Sequence, residues 1–179
     1  MKRLQRAAVF AELTEKLSEY GSWCGETHIQ KATYILQELM DVPMAFEFTL
    51  YKHGPFSFDL RDELTEMRAD GLIKLVPRPY PYGPTLLPSK NNKNLRRRFP
   101  KTLKKYKNAI EFVAEKLGAK GVVELEKLST ALLVTRELGD KVSSDDRAER
   151  IRELKPHLTA VDASFAVEEI DDLIEEAST

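Results

Sequence analysis

The sequence predicts a mainly α, α+β protein: a winged-helix-like unit with three short strands, extended by a C-terminal helical bundle. Three observations predict it. Apolar residues recur at helical spacing through most of the 179 residues, only three short runs read as strands, and a proline-rich stretch separates the last two of these. Over residues 27–88 the order is helix, strand, Lys-His-Gly-Pro-Phe turn, acidic helix and proline-rich hairpin. That order is the one a winged helix uses, and such units usually bind rather than catalyse.

Each element has a local reason. Residues 2–20 place Phe10, Leu13 and Leu17 on one helical face, and Gly21 stops the helix. Thr27 is a suitable N-cap for a second helix carrying Ile29, Ala32, Leu36 and Met40, which Asp41-Val-Pro breaks. Phe46, Phe48 and Leu50 alternate with Glu47, Thr49 and Tyr51, the pattern of a half-buried strand. His53-Gly54-Pro55 has turn composition. Ser57 caps a helix with Leu60, Leu64 and Met67 inward, and Gly71 ends it.

Residues 72–76 and 85–87 read as the two strands of a wing whose tip, Pro77-Arg-Pro-Tyr-Pro-Tyr-Gly-Pro, is too proline-rich for regular structure. Asn91-Asn-Lys-Asn reads as a linker. The cleanest helical seam follows: Phe99, Leu103, Tyr106, Ile110, Val113 and Leu117 at alternating four- and three-residue steps. Gly118 and Gly121 bound a loop. A helix over 122–138 carries Leu125, Leu128, Leu132 and Leu138. Ser144 caps a charged helix ending near Leu154, before Pro156, and a final acidic helix turns Phe165, Ile170, Leu173 and Ile174 inward. The expected organisation is a winged-helix-like unit over 1–90 and a helical extension over 91–179, packed as one unit.

Charge is unevenly distributed. Nine of the eighteen residues from 90 to 107 are Lys or Arg and none is acidic, whereas 166–179 holds six acids and no base. Surfaces of opposite sign are therefore expected, packed on one another or offered to different partners. No apolar run approaches the roughly 20 residues a membrane span needs, and no signal-peptide pattern is visible at the start, so a cytoplasmic location and no membrane partner are expected. The single cysteine, Cys24, excludes an intramolecular disulfide and a Cys-cluster metal site.

Thr27-His-Ile-Gln-Lys-Ala-Thr-Tyr-Ile-Leu-Gln is similar to the "K-L-Q-K-L-x-Y-x-x-Q" helix of the Panacea (SocA-like antitoxin) and YwgA-like family. Tyr51-Lys-His-Gly-Pro-Phe-Ser is similar to that family's "Y-x-Y-G-P-F/Y-S" turn. The likeness continues through Leu60 to Gly71-Leu72-Ile73, and more weakly at Glu124-Leu-Glu-Lys-Leu-Ser-Thr-Ala and Glu153-Leu-Lys-Pro-His-Leu. The chain also resembles the helical domain that follows the macrodomain in antitoxins paired with DNA-modifying ADP-ribosyltransferase toxins. Two positions depart: His53 stands where Tyr is common, and Ala32 where Leu is usual. The resemblance implies a non-enzymatic module of toxin–antitoxin or phage-defence systems, with a protein partner.

Two surfaces are candidates for binding. With Leu60, Leu64 and Met67 inward, Asp59, Asp62, Glu63 and Glu66 are expected outward, and they form a working surface with the adjacent His53-Gly54-Pro55 turn and the proline-rich wing. Four carboxylates repel DNA phosphates, so this face suits a basic protein partner, or is simply a solvated face, better than a major groove. The second candidate is a nucleic-acid surface of Arg96, Arg97, Arg98, Lys101, Lys104 and Lys105; docking on the acidic C-terminal helix, or plain solubility, are the other readings of that run. Catalysis is not expected. Cys24, Glu26 and His28 have no identifiable orienting group or oxyanion site beside them. His53 and His157 read as turn or capping residues. No metal spacing or phosphate-binding glycine loop is present, so no metal and no cofactor are expected.

Overall fold

The computed structural model describes residues 1–139 and 141–178. Eight helices and two two-stranded antiparallel sheets are formed among them: α1 (Arg3–Glu19), α2 (Glu26–Glu38), β1 (Thr49–Tyr51), β2 (Gly54–Phe56), α3 (Phe58–Ala69), β3 (Ile73–Val76), β4 (Thr85–Pro88), α4 (Asn92–Arg98), α5 (Pro100–Leu117), α6 (Val122–Leu138), α7 (Ser144–Leu154) and α8 (Ala160–Ala177). The fold is thus α+β and mainly α. Among the described residues no helix is long and apolar enough to cross a membrane.

Four strands replace the expected three. The Gly-Pro-Phe of the presumed turn is itself β2, paired with β1 in the register Thr49↔Phe56, Leu50↔Pro55 and Tyr51↔Gly54. Only Lys52 and His53 form the turn. A proline is tolerated there because each strand has a single strand neighbour. The hairpin expected at 72–87 forms, with Ile73↔Pro88 through Val76↔Thr85 in register. It pairs separately from β1–β2, so no three-stranded sheet forms.

Other boundaries moved for identifiable reasons. The second helix starts one residue before Thr27 and is capped by Gly25, which offers no side-chain acceptor. Asn91-Asn-Lys-Asn is not a linker: most of it belongs to α4, which ends at Phe99 because Pro100 disfavours helical angles in the residue before it and opens α5 as its first residue. Ser57 accepts from the Leu60 amide as expected, at 3.2 Å. In the charged helix α7 the cap is Ser143 rather than Ser144. Phe165 faces solvent instead of the core.

One apolar core runs through both halves of the chain. Helix α1 lies along α5 and also touches α4 and β4, while α6 contacts α2, β2, α7 and α8. Phe10, Leu13 and Leu17 of α1 and Ile110, Val113 and Leu117 of α5 are all buried. Their seams, read from the sequence, are the interface on which the two halves join.

Gly54 is where the hairpin approaches α6 most closely. Its φ is +84°, and a Cβ there would lie 3.1 Å from both Ser129 Oγ and Thr130 Oγ1. Gly54→Ala combines left-handed strain with a crowded contact, so a loss of about 1–3 kcal/mol is expected in urea unfolding. Unchanged stability would mean that the hairpin does not seat on α6 in this way.

Candidate partner-binding face

The β1–β2 hairpin is held from behind by polar side chains. On α2, the Gln30 amide donates to Ser57 O at 2.9 Å and accepts from Ser57 N at 3.0 Å. About two turns further along the same face, Gln37 donates to Phe46 O at 3.0 Å and accepts from Phe46 N at 2.9 Å. These two amides take the place of a neighbouring strand for the chain on either side of the hairpin. Between them the buried Lys31 ammonium donates to Pro55 O at 2.7 Å.

A second set acts from α6 and the segment after α7. Lys155 donates to Tyr51 O and Lys52 O at 3.1 and 2.7 Å and lies 2.9 Å from Glu126. His53 Nδ1 is 3.3 Å and His157 Nε2 3.8 Å from the same carboxylate. Burial is the largest influence on Glu126 and pushes its pKa up, but Lys155 and His53 together outweigh it, so the carboxyl sits below its ordinary value. The cation at its centre is the Lys155 ammonium; among the described residues no group of three or more His, Cys, Asp and Glu is arranged to hold a metal ion. This arrangement assigns His53, Gly54 and Pro55 different roles. Gly54 and Pro55 are buried and present no surface, and only His53 remains exposed.

The acidic face is divided. Glu63 does not point outward: it is 8% exposed, 2.7 Å from Arg6 and 3.6 Å from Arg3 of α1. The reason was available in the spacing, because Glu63 follows Leu60 by three and precedes Met67 by four, which puts it on the buried stripe. Glu66 is exposed but 3.0 Å from Arg3, which also holds Asp70 at 2.7 Å. Asp59 and Asp62 are the expected outward carboxylates that are exposed and outside any ion pair among the described residues.

Beside them lies a group that the sequence reading passed over. Tyr51, Phe56 and Phe58 touch one another with ring centroids 5.1–5.8 Å apart. The Arg61 guanidinium covers Phe58 and Phe56 at 5.2 and 5.8 Å. Tyr51 is 56% and Phe58 44% exposed. The signal was the density of aromatics over residues 51–58, which period-based reading absorbs into strand and cap positions.

The basic run is divided in the same way. Arg96 is mostly covered and pairs with Glu12 at 2.7 Å and with Glu15, both on α1, so it is not a free phosphate contact. Arg97, Arg98, Lys101, Lys104 and Lys105 are exposed and form no ion pair among the described residues, while Phe99 and Tyr106 pack toward the core. The acidic C-terminal helix does not cover them. Its Glu176, Glu169 and Asp162 pair instead with Lys116, Lys120 and Lys127.

The remaining chemical candidates, Cys24 and His28, are both buried. The Cys24 thiol is fully buried and donates toward Thr14 O at 3.3 Å, and burial pushes its pKa up, away from a nucleophilic thiolate. His28 is buried with Nδ1 3.0 Å from Ser22 Oγ, and burial lowers its pKa to about 4. No protein-family model matches the chain, and no curated protein matches it in sequence.

Lys31 supplies a test of the hairpin clamp. Burial lowers its pKa to about 8 from 10.5; Glu126 opposes this shift and Lys155 adds to it. Between those values the unfolded chain holds the proton and the folded chain releases it, so folding gains as pH rises through this window. Relative to Lys31→Met, the wild-type chain should gain about 2 kcal/mol between pH 8 and 10 in paired urea titrations. A pH-independent difference would place Lys31 in contact with water.

Proposed function

We propose that the chain is a non-enzymatic binding module of antitoxin type that engages and neutralises or tethers a protein partner. The contact surface on this reading is the aromatic group Tyr51, Phe56 and Phe58 with Arg61, flanked by Asp59, Asp62 and His53. The observation that carries it is the exposure of that aromatic group on a hairpin clamped from behind. Aromatic residues and arginine dominate binding energy at protein interfaces, and a rigid support lowers the ordering cost of docking. Asp59 and Asp62 add negative charge that favours a basic partner and speeds its approach. The antitoxin and defence setting is supported by the resemblance of residues 27–37 and 51–57 alone.

Neutralisation is tested by co-expressing the chain with the product of each flanking reading frame. One such product should arrest growth alone and not in the presence of the chain. Phe58→Ala with Asp62→Lys should weaken binding of that product about 30-fold or more and remove the rescue, with thermal unfolding nearly unchanged. Full rescue by the double variant would exclude this face.

A second reading, a nucleic-acid-binding regulator, is favoured by the exposed, unpaired cations Arg97, Arg98, Lys101, Lys104 and Lys105. Its mark is affinity that falls steeply with salt. Filter binding on duplex and single-stranded DNA at two ionic strengths should show that fall, and Lys101→Ala with Lys104→Ala should flatten it. Weak binding that ignores salt would exclude the surface.

A further inference from the structure

A cavity of about 420 Å³ lies between the start of α2, the side of α3 and the β3–β4 wing. That size is within the range of small-molecule sites. Its apolar wall includes Trp23, Leu75, Tyr82 and Leu86, and its cations are Arg61 and Arg68. Neither guanidinium is in an ion pair among the described residues, although Arg61 stacks on Phe56 and Phe58. Glu26 is the one carboxylate in the lining.

The wall is fixed in place. Arg78 covers the Trp23 ring at 4.9 Å, and Tyr82 meets it edge-on at 5.7 Å. Behind it stands Gly25, where a Cβ would come within 2.6 Å of the indole. A residue with a side chain at this helix cap would displace the tryptophan. Because the cap is glycine, no side chain satisfies the first amides of α2, whose end carries partial positive charge toward a cavity lined by Gly25, Glu26 and Thr27.

We propose that this cavity binds a small amphipathic oxyanion, its head between Arg68 and the start of α2 and its aromatic or branched body against Trp23, Leu75 and Leu86. Two unpaired guanidiniums and an uncapped helix start set against one carboxylate select a negative head. The apolar wall selects a body, which separates such a ligand from inorganic anions. Arg61 borders both this cavity and the aromatic face assigned to the protein partner, whereas Arg68 lines the cavity alone and is the residue that tests it.

Trp23 is the only tryptophan, so its emission reports occupancy directly. The full chain is titrated with N-acetyl-L-phenylalanine, with the amide of the same compound, and with phenyl phosphate. One or both anions should shift the emission saturably and bind at least about tenfold more tightly than the amide, and the tighter of the two anions identifies the head as carboxylate or phosphate. Arg68→Glu should weaken the anion about tenfold or more with an unchanged circular dichroism spectrum; Arg68→Gln gives the same test if the reversal perturbs folding. Three results would overturn the proposal: no saturable change up to about 10 mM, equal binding of anion and amide, or wild-type affinity in a folded Arg68 variant.

Discussion

The structure depends on a short hairpin held by buried polar side chains rather than by a larger sheet. An isolated two-stranded ribbon is marginal in water, and β1–β2 has only three residue pairs. Gln30 and Gln37 supply the main-chain hydrogen bonds that a third strand would make. Lys31 donates to the carbonyl of Pro55, and Lys155 to those of Tyr51 and Lys52. Burying charge costs free energy unless partners are close, and here Glu126 stands 2.9 Å from Lys155. The clamp therefore does not add much stability over an apolar packing of equal volume. Its value is positional, because it sets the hairpin at one height on α2 and α6 and so presents Tyr51, Phe56 and Phe58 as a fixed surface.

Helix α1 has a matching role for the charged segments. Its first turns carry Arg3 and Arg6, which take Glu63, Glu66 and Asp70 of the acidic helix end. Its middle carries Glu12 and Glu15, which take Arg96 of the basic run. Exposed pairs such as Arg3 with Glu66 contribute little stability, but together they decide which charges remain for partners. Among the described residues two exposed carboxylates outside ion pairs remain on α3, and seven such cations, Lys93 and Lys107 included, on α4 and α5. The charge left exposed is accordingly smaller on the acidic side than the composition of α3 suggests.

Much of the fold was legible because long helices announce themselves by period. The α5 seam from Phe99 to Leu117 and the Leu60, Leu64, Met67 stripe are both in place. The hairpin was missed because Gly54 and Pro55 read locally as turn formers, and only pairing with Thr49–Tyr51 and cover from α6 make them a strand. Glu63 was misplaced for a different reason: its spacing put it on the buried face, but its charge argued for water, and Arg6 from a distant helix settled the conflict. Arg96 repeats that lesson. The polar clamp was invisible in composition, since nothing local distinguishes Gln30 or Lys155 from surface residues. Residues of 30–37 and 51–57 nevertheless meet in it, through Gln30 with Ser57 and Lys31 with Pro55.

The most direct test is native-state hydrogen exchange at the amides of Phe46 and Ser57, which donate to glutamine side chains rather than to any strand. If the clamp holds the hairpin, both amides exchange only with global unfolding, as slowly as the central amides of α6. Exchange at the rate of an open loop, with α6 still protected, would contradict the account, because the aromatic face would then have no fixed support.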